Sequence, residues 1–319
     1  MADTVDLTTA YGKALVEVGH RYPNVVVLDA DLADSCQTEL FSSTFPGRAF
    51  DLGVAEQSLP TFAAGLALVG KIPFYNTFAV FAVNRCVDQI RMAAYMQANI
   101  KIVGHASGHS LGYAGPSHHC LEDISILRSF PNMVILSPCD PEETRQMVHW
   151  MAEYDGPVYL RLIRASTAGM LPPGCQFTPS KSILVRDGGD TLTIFSSGDM
   201  VLLALRLYDR LAADGVFCKV VHVPTLKPLP AEEITIYGKQ TRGALTIEDH
   251  NIIGGLGSIV SEIYAEHLQK PVRRLGIQDC FTESDDRDVL LNAYQVNLET
   301  GLAYACSMLN DQPESHPIK

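Results

Sequence analysis

The sequence predicts a two-domain α/β protein, each domain a mainly parallel sheet flanked by helices. Three observations carry this. Short apolar runs such as Val25-Val26-Val27-Leu28 alternate with longer segments whose apolar residues recur every three or four positions. The stretch Asp51 to Phe81 reads as strand, helix, strand, the repeating unit of a parallel sheet. Between Ala165 and Gly189 the periodicity lapses around Pro172-Pro173-Gly174, Pro179 and Gly188-Gly189, then resumes. The chain therefore divides into residues 1–165 and 190–319, with 166–189 as a linker.

Each element follows from its local pattern. Leu7, Tyr11, Ala14, Leu15 and Val18 form one stripe, which predicts a helix from Val5 to His20. The strand Val25–Leu28 ends in the polar run Asp29 to Ser35, placed where open α/β sheets meet ligands. Ala49 to Leu52 is a short strand broken at Gly53. The following helix packs through Ala63, Ala64, Gly65 and Ala67 and stops at Gly70, before the strand Pro73 to Asn76. A long helix is predicted from Val80 to Gln97, then the strand Ile100–Val103 and a glycine-rich loop from Gly104 to His119. Leu121 to Phe130 reads as helix, Met133 to Leu136 as strand, Pro141 to Met151 as helix and Val158 to Leu162 as strand. In the second domain the predicted strands are Leu192–Phe195, Phe217–Val223 and Gly243–Ile247, with helices near Met200–Ala213 and Leu256–His267. The tail from Asp311 is expected to fray.

Composition narrows the function. With 47% hydrophobic and 19% charged residues, the 319-residue chain has ample core and is not disordered. A net charge of −12 argues against nucleic acid or an anionic membrane as partner. No apolar run approaches the roughly 20 residues that span a bilayer. The polar N-terminus is unlike a leader peptide, and the eight cysteines lack any CxxC pair, so buried thiols in a reducing cytoplasm are expected.

Several side chains could carry chemistry. Glu56 stands at a strand-to-helix turn; alone, it would simply complement the helix dipole. Phe78 and Phe81, alone, would be core. His105, His109, His118 and His119, with Cys120, crowd one glycine-rich loop. Their irregular spacing suits an organic ligand better than zinc. Arg161 and Arg164 are three apart on a strand, so at most one faces a site, where it would suit an anion. Glu248-Asp249-His250, after a strand, is either an active set or a hydrogen-bonded strand end, and the latter is preferred. Gly254-Gly255-Leu256-Gly257 lacks the third glycine of a dinucleotide fingerprint.

In order along the chain, DLGVAEQ, FAAGLA, TFAVF, GPSH, LSPCD, KPLP and GGLG resemble the transketolase family across nearly the whole length, matching its pyrimidine-binding and C-terminal domains. The resemblance implies thiamine diphosphate, bound at a subunit interface. Glu56 matches the carboxyl that hydrogen-bonds N1′ of the aminopyrimidine and thereby helps the cofactor lose its C2 proton. Phe81, with Phe78 beside it, matches the ring that stacks on the pyrimidine, and Asp31 an acidic residue near the cofactor. His118 matches a histidine that assists proton transfers at the substrate. Ser35, His105, His119 and Arg164 fall to substrate binding.

The family's diphosphate domain carries Gly-Asp-Gly and a downstream Asn that hold Mg2+ or Ca2+. This chain has no Gly-Asp-Gly, and none of its residues is assigned as a metal ligand. The resemblance therefore implies the second subunit of a split transketolase, paired with an N-terminal subunit in an α2β2 heterotetramer and acting on sugars. Departures bear on substrate: Tyr113-Ala114 replaces the family's Glu-Asp, Ala106 stands near a phosphate-binding histidine with His105 one place off, and Thr8 stands where an arginine is usual. These imply a substrate other than an ordinary pentose phosphate. The competing readings are the β subunit of a 2-oxoacid-decarboxylating enzyme and a non-catalytic partner of the same fold.

Overall fold

The computed structural model describes residues 4–310; the tail expected to fray lies outside them. A short strand β1 (Val5–Asp6) leads into α1 (Leu7–Arg21), whose first turn is capped by the Asp6 carboxylate accepting from the Thr8 and Thr9 amides. Then come β2 (Val25–Asp29), α2 (Ala33–Cys36), α3 (Glu39–Thr44), β3 (Ala49–Asp51), α4 (Ser58–Leu68) and β4 (Ile72–Phe78). The first half continues with α5 (Ala79–Asn84), α6 (Val87–Tyr95), β5 (Lys101–His105), α7 (Asp123–Leu127), β6 (Val134–Leu136), α8 (Pro141–Glu153), β7 (Val158–Arg161) and β8 (Ser166–Thr167). The second half comprises β9 (Ile183–Asp187), β10 (Thr193–Ser196), α9 (Val201–Ala213), β11 (Lys219–His222), β12 (Thr225–Lys227) and α10 (Ala231–Gln240). It ends with β13 (Ala244–Asn251), α11 (Leu256–His267), β14 (Val272–Ile277), α12 (Arg287–Ala293) and α13 (Leu298–Asn310).

Two sheets organise these elements. The seven-stranded sheet has the order β12-β6-β7-β5-β4-β2-β3 and is parallel except for β12. The five-stranded sheet, β14-β13-β10-β11-β9, is parallel except for β9. All five residues of β2 are buried, as a strand covered on both faces requires. Helices α1 and α8 cover one face of the first sheet around Leu15, Phe74 and Met147. A second core, from Tyr75 and Ile135 to Phe195 and Tyr264, runs continuously from the other face into the second half. The far face of the second sheet packs against α9 and α13.

The structure departs from the sequence reading in four places. The long helix expected over Val80–Gln97 is two, α5 and α6, broken at Cys86, whose amide bonds the Val83 carbonyl and whose thiol donates to the Glu56 carbonyl at 3.1 Å. The helix expected over Leu121–Phe130 shrinks to α7. The stretch read as aperiodic contains β8, paired antiparallel to β1, and β9, an edge strand of the second sheet. Finally, β12 leaves the second half to join the first sheet beside β6.

Candidate active site

Parallel strands bring their carboxyl ends to one edge of a sheet, the position for ligands in open α/β folds. Asp29, Asp51, Phe78, His105 and Arg161 are the last residues of β2, β3, β4, β5 and β7, so five elements deliver side chains to one edge.

The first group forms around Glu56. It sits in the turn between β3 and α4, only 6% exposed, and among the described residues nothing hydrogen-bonds its carboxylate. The residue is buried, but its carboxylate oxygens are paired by no described protein group and are not sealed from solvent, so they stand open to a ligand's donor. Cys86 holds the turn in place, its thiol facing the carbonyls of Glu56 at 3.1 Å and Phe81 at 3.4 Å. Burial, with the Glu56 charge adding to it, pushes this thiol up to about 12, so it stays a neutral donor. Phe78, Phe81 and His118 form a half-buried aromatic triangle: the His118 ring lies edge-on to Phe81 at 5.3 Å and to Phe78 at 6.2 Å. The Arg85 guanidinium covers Phe81 at 5.2 Å. Ser117 Oγ holds His118 Nδ1 at 3.0 Å, leaving Nε2 for a ligand.

The second group lines the strand ends beyond β4. Asn76 Nδ2 donates to the Leu28 and Phe74 carbonyls, which fixes its Oδ1 as the acceptor for Tyr11 Oη at 2.6 Å and His105 Nε2 at 3.2 Å. His105 therefore carries its proton on Nε2, and burial lowers its pKa to about 3, keeping it neutral. Its Nδ1 is a bare, buried acceptor, one of four orphaned polar atoms on neighbouring elements with Thr8 Oγ1, Thr77 Oγ1 and Ser107 Oγ. Asp31 is exposed, with φ +59°, and its amide bonds Asp51 Oδ1, which also accepts from Gly53. Ser35 is half-buried in α2, and Arg164 is exposed with its amide on Ser110 Oγ.

The third group ties the histidine loop to the second half. Asp249 accepts from His109 Nδ1 at 2.6 Å and pairs with Arg287, which also binds Asp199 at 2.8 Å. Burial would raise the Asp249 pKa, but His109 and Arg287 outweigh it and hold the carboxylate far below its usual range. Thr282 Oγ1 joins His109 Nε2 and His119 Nδ1, and His119 Nε2 faces the Gly112 carbonyl. Both His119 nitrogens are thus taken by the chain. Arg161 is likewise buried, on Asp123 at 2.9 Å. Glu248 accepts from the Leu256 and Gly257 amides and fills the α11 N-terminus, where a dinucleotide phosphate would have to sit.

The structure thus gathers Glu56, Phe78, Phe81 and His118, with Asp31, Ser35, His105 and Arg164 along the same sheet edge, and sets His119 apart. Sequence reasoning missed Cys86, Tyr11 and Asn76. Asn76 ending a buried strand was the available signal, since a buried amide demands partners.

Comparison with known proteins bears on this arrangement. Residues 3–169 match the model of the transketolase pyrimidine binding domain, and residues 180–300 that of the transketolase C-terminal domain. A putative transketolase C-terminal section from Methanocaldococcus jannaschii is 42% identical, covering 91% of this chain and 92% of its own. The 6-deoxy-6-sulfo-D-fructose transketolase subunit SqwH of Clostridium sp. is 38% identical, covering 89% and 88%. One of the subunits of an apulose-4-phosphate transketolase from Phocaeicola vulgatus is 34% identical, covering 85% and 86%. Among solved structures, a split gene transketolase described as an inactive beta4 tetramer superposes with TM-score 0.87 at 38% identity over 97% of this chain and 99% of its own. A Campylobacter jejuni transketolase shares the fold (TM-score 0.83, 21% identity), with this chain covering 96% of itself and 47% of that one.

Proposed function

This chain belongs to the transketolase family, and we propose that it is the C-terminal subunit of a split thiamine-diphosphate-dependent transketolase moving a two-carbon ketol unit between atypical sugar substrates. One observation carries the reading: Glu56, 6% exposed and with a carboxylate that none of the described residues pairs, beside the Phe78–Phe81–His118 triangle. Those residues fit the aminopyrimidine of thiamine diphosphate, Glu56 bonding N1′ and Phe81 offering its face. When bound, the cofactor supplies the nucleophilic carbon and stores the electron pair. The chain's own residues do the rest. Phe78 and Phe81 exclude water from the reacting centre, and His118 Nε2 holds or moves a proton at a substrate hydroxyl.

Substrate choice follows from the second group. His105 Nδ1, a neutral acceptor, suits a sugar hydroxyl and opposes a phosphate oxygen. Arg164 and Ser35 remain for an anionic end, and Asp31 lies towards the cofactor. The absence of the family's Glu-Asp pair, and Ala106 near the place of its phosphate-binding histidine, with relatives named for a sulfo-sugar and for apulose 4-phosphate, support a substrate that is not an ordinary pentose phosphate.

The partner is an N-terminal subunit carrying Gly-Asp-Gly, a downstream Asn and Mg2+ or Ca2+, joined in an α2β2 heterotetramer. Exposed apolar side chains support it: Val54 in the Glu56 turn, and Phe62, Leu68 and Tyr95 along α4 and α6, are 44–79% exposed. The neighbour's inactive beta4 assembly accords with a chain that needs a complement. No helix among the described residues is long and apolar enough to cross a membrane, and eight free cysteines suit the cytoplasm.

The test is gentle purification from the native host with intact mass of what co-elutes, then ketol-transfer assays on the complex with sugars and with pyruvate. A stoichiometric Gly-Asp-Gly partner and ketose products support the proposal. A chain that emerges alone and binds no thiamine diphosphate, or decarboxylation of pyruvate instead, defeats it.

A further inference from the structure

Away from the Glu56 pocket, one buried cluster joins the two halves of the chain. Cys139 precedes α8, Glu143 lies in its first turn, and His222 ends β11. A thiol sulfur, a carboxylate oxygen and an imidazole nitrogen lie within 4.8 Å of one another, all three residues no more than 2% exposed.

Hydrogen bonding leaves one carboxylate oxygen of this cluster without a partner. Glu143 Oε2 accepts the Cys139 amide at 2.7 Å and faces His222 Nε2 at 2.9 Å, while the buried Oε1 has no partner. His222 Nδ1 faces the Ser196 carbonyl at 3.4 Å. Both ring nitrogens therefore look at oxygen acceptors, although a neutral imidazole has a single N–H. With the proton on Nε2 the ring donates to Glu143; with it on Nδ1, towards Ser196, the Nε2 lone pair is free for a cation. A cation taken up by that lone pair and the carboxylate would give the orphaned Oε1 a partner. Metal-bound histidines commonly donate their other N–H to a backbone carbonyl, the position the Ser196 carbonyl holds beside His222 Nδ1. Access exists as well: a cleft of about 340 Å3, walled by Asp140, Leu171, Cys175 and Phe177, reaches Glu143.

We propose that Cys139, Glu143 and His222 bind a zinc ion that fastens the two halves together, with the remaining position supplied from the cleft. Thiolate, imidazole and carboxylate at these spacings are a zinc donor set. Binding displaces the thiol proton, so affinity rises with pH. No member of the set belongs to the Glu56 pocket, and the metal held by the partner subunit is a different one.

The experiment uses the untagged, full-length chain, stripped with a chelator, re-equilibrated with Zn2+ in the presence of a weak competing chelator, and analysed for bound metal after gel filtration. We expect one zinc per chain and a melting temperature raised by several degrees. Co2+ in its place is expected to give thiolate-to-cobalt charge-transfer absorption in the near ultraviolet, absent in Cys139→Ser. His222→Gln should weaken zinc binding at least tenfold; if it fails to fold, Cys139→Ser, nearly the same size, carries the test alone. A stoichiometry far below one, or an unchanged cobalt spectrum in Cys139→Ser, overturns the proposal.

Discussion

Replacing Arg287 with Met tests the seam that holds the histidine loop. The guanidinium binds Asp199 at 2.8 Å and Asp249 at 3.0 Å, and both carboxylates are less than a tenth exposed. Asp249 would keep His109, but the described residues offer Asp199 no second partner, and its Oδ1 already lacks one. Removing one member of a buried charge network leaves uncompensated charge, at about 3–5 kcal/mol. At roughly 2–4 °C per kcal/mol for domains of this size, the melting temperature should fall by roughly 6–20 °C. Thermal unfolding at pH 7 by circular dichroism reads this. Adding Asp199→Asn should recover part of the loss, because it removes the orphaned charge. The acid limb provides a second readout. The Asp249 pKa is depressed in the folded chain, so its stabilisation is present above the usual carboxylate range near 3.8 and lost as pH falls below it. With Arg287 gone the depression is smaller, and the loss of stability with acid becomes shallower. A variant melting within 2 °C of the parent would refute this account of the network.

Further outcomes concern the proposed pocket and the core. In the assembled complex, Glu56→Gln should lower kcat by about 10²–10⁴-fold without unfolding the chain, the range for losing a positioned acid–base group; unchanged turnover would favour a non-catalytic partner. Phe81→Ala should weaken thiamine diphosphate binding to the complex by up to about tenfold, as loss of an aromatic contact worth about 0.5–1.5 kcal/mol implies, measured by titration calorimetry. Burial lowers His105 to about 3 and His250 to about 4, so the unfolded chain binds protons that the folded chain refuses. Stability should therefore fall as pH drops from about 6.5 towards 4, and His105→Gln should flatten that slope in denaturant titrations. Gly104→Ala should destabilise by about 1–3 kcal/mol, because a Cβ there runs into the Tyr159 ring, itself locked by its hydroxyl on Asp123 at 2.7 Å.

The sequence was most legible where one period dominates. The buried run at Val25 and the stripe through Tyr11 and Val18 emerged as β2 and α1 because burial on both faces and on one stripe leave different signatures. Glu56 and Phe81 are singled out through motif order, which suggests roles but not contacts. What stayed hidden depends on long-range pairing. The helix break at Cys86 coincides with a thiol contact to the Glu56 carbonyl, 30 residues away, which no local propensity encodes. Asn76 acts through Tyr11, 65 residues away, and His105, 29 away. His119 looked like a ligand-binding group beside His118, yet Thr282, 163 residues on, claims it. β12 escaped notice because Thr225–Lys227 is too short to show alternation.

That three-residue strand has a consequence for how the chain comes off the ribosome. Until Thr225–Lys227 emerges, about sixty residues after β8 has been made, β6 presents an open hydrogen-bonding edge. Nascent chains stalled between those points should be the ones that chaperones hold and that aggregate with one another, and release of residue 227 should end that window.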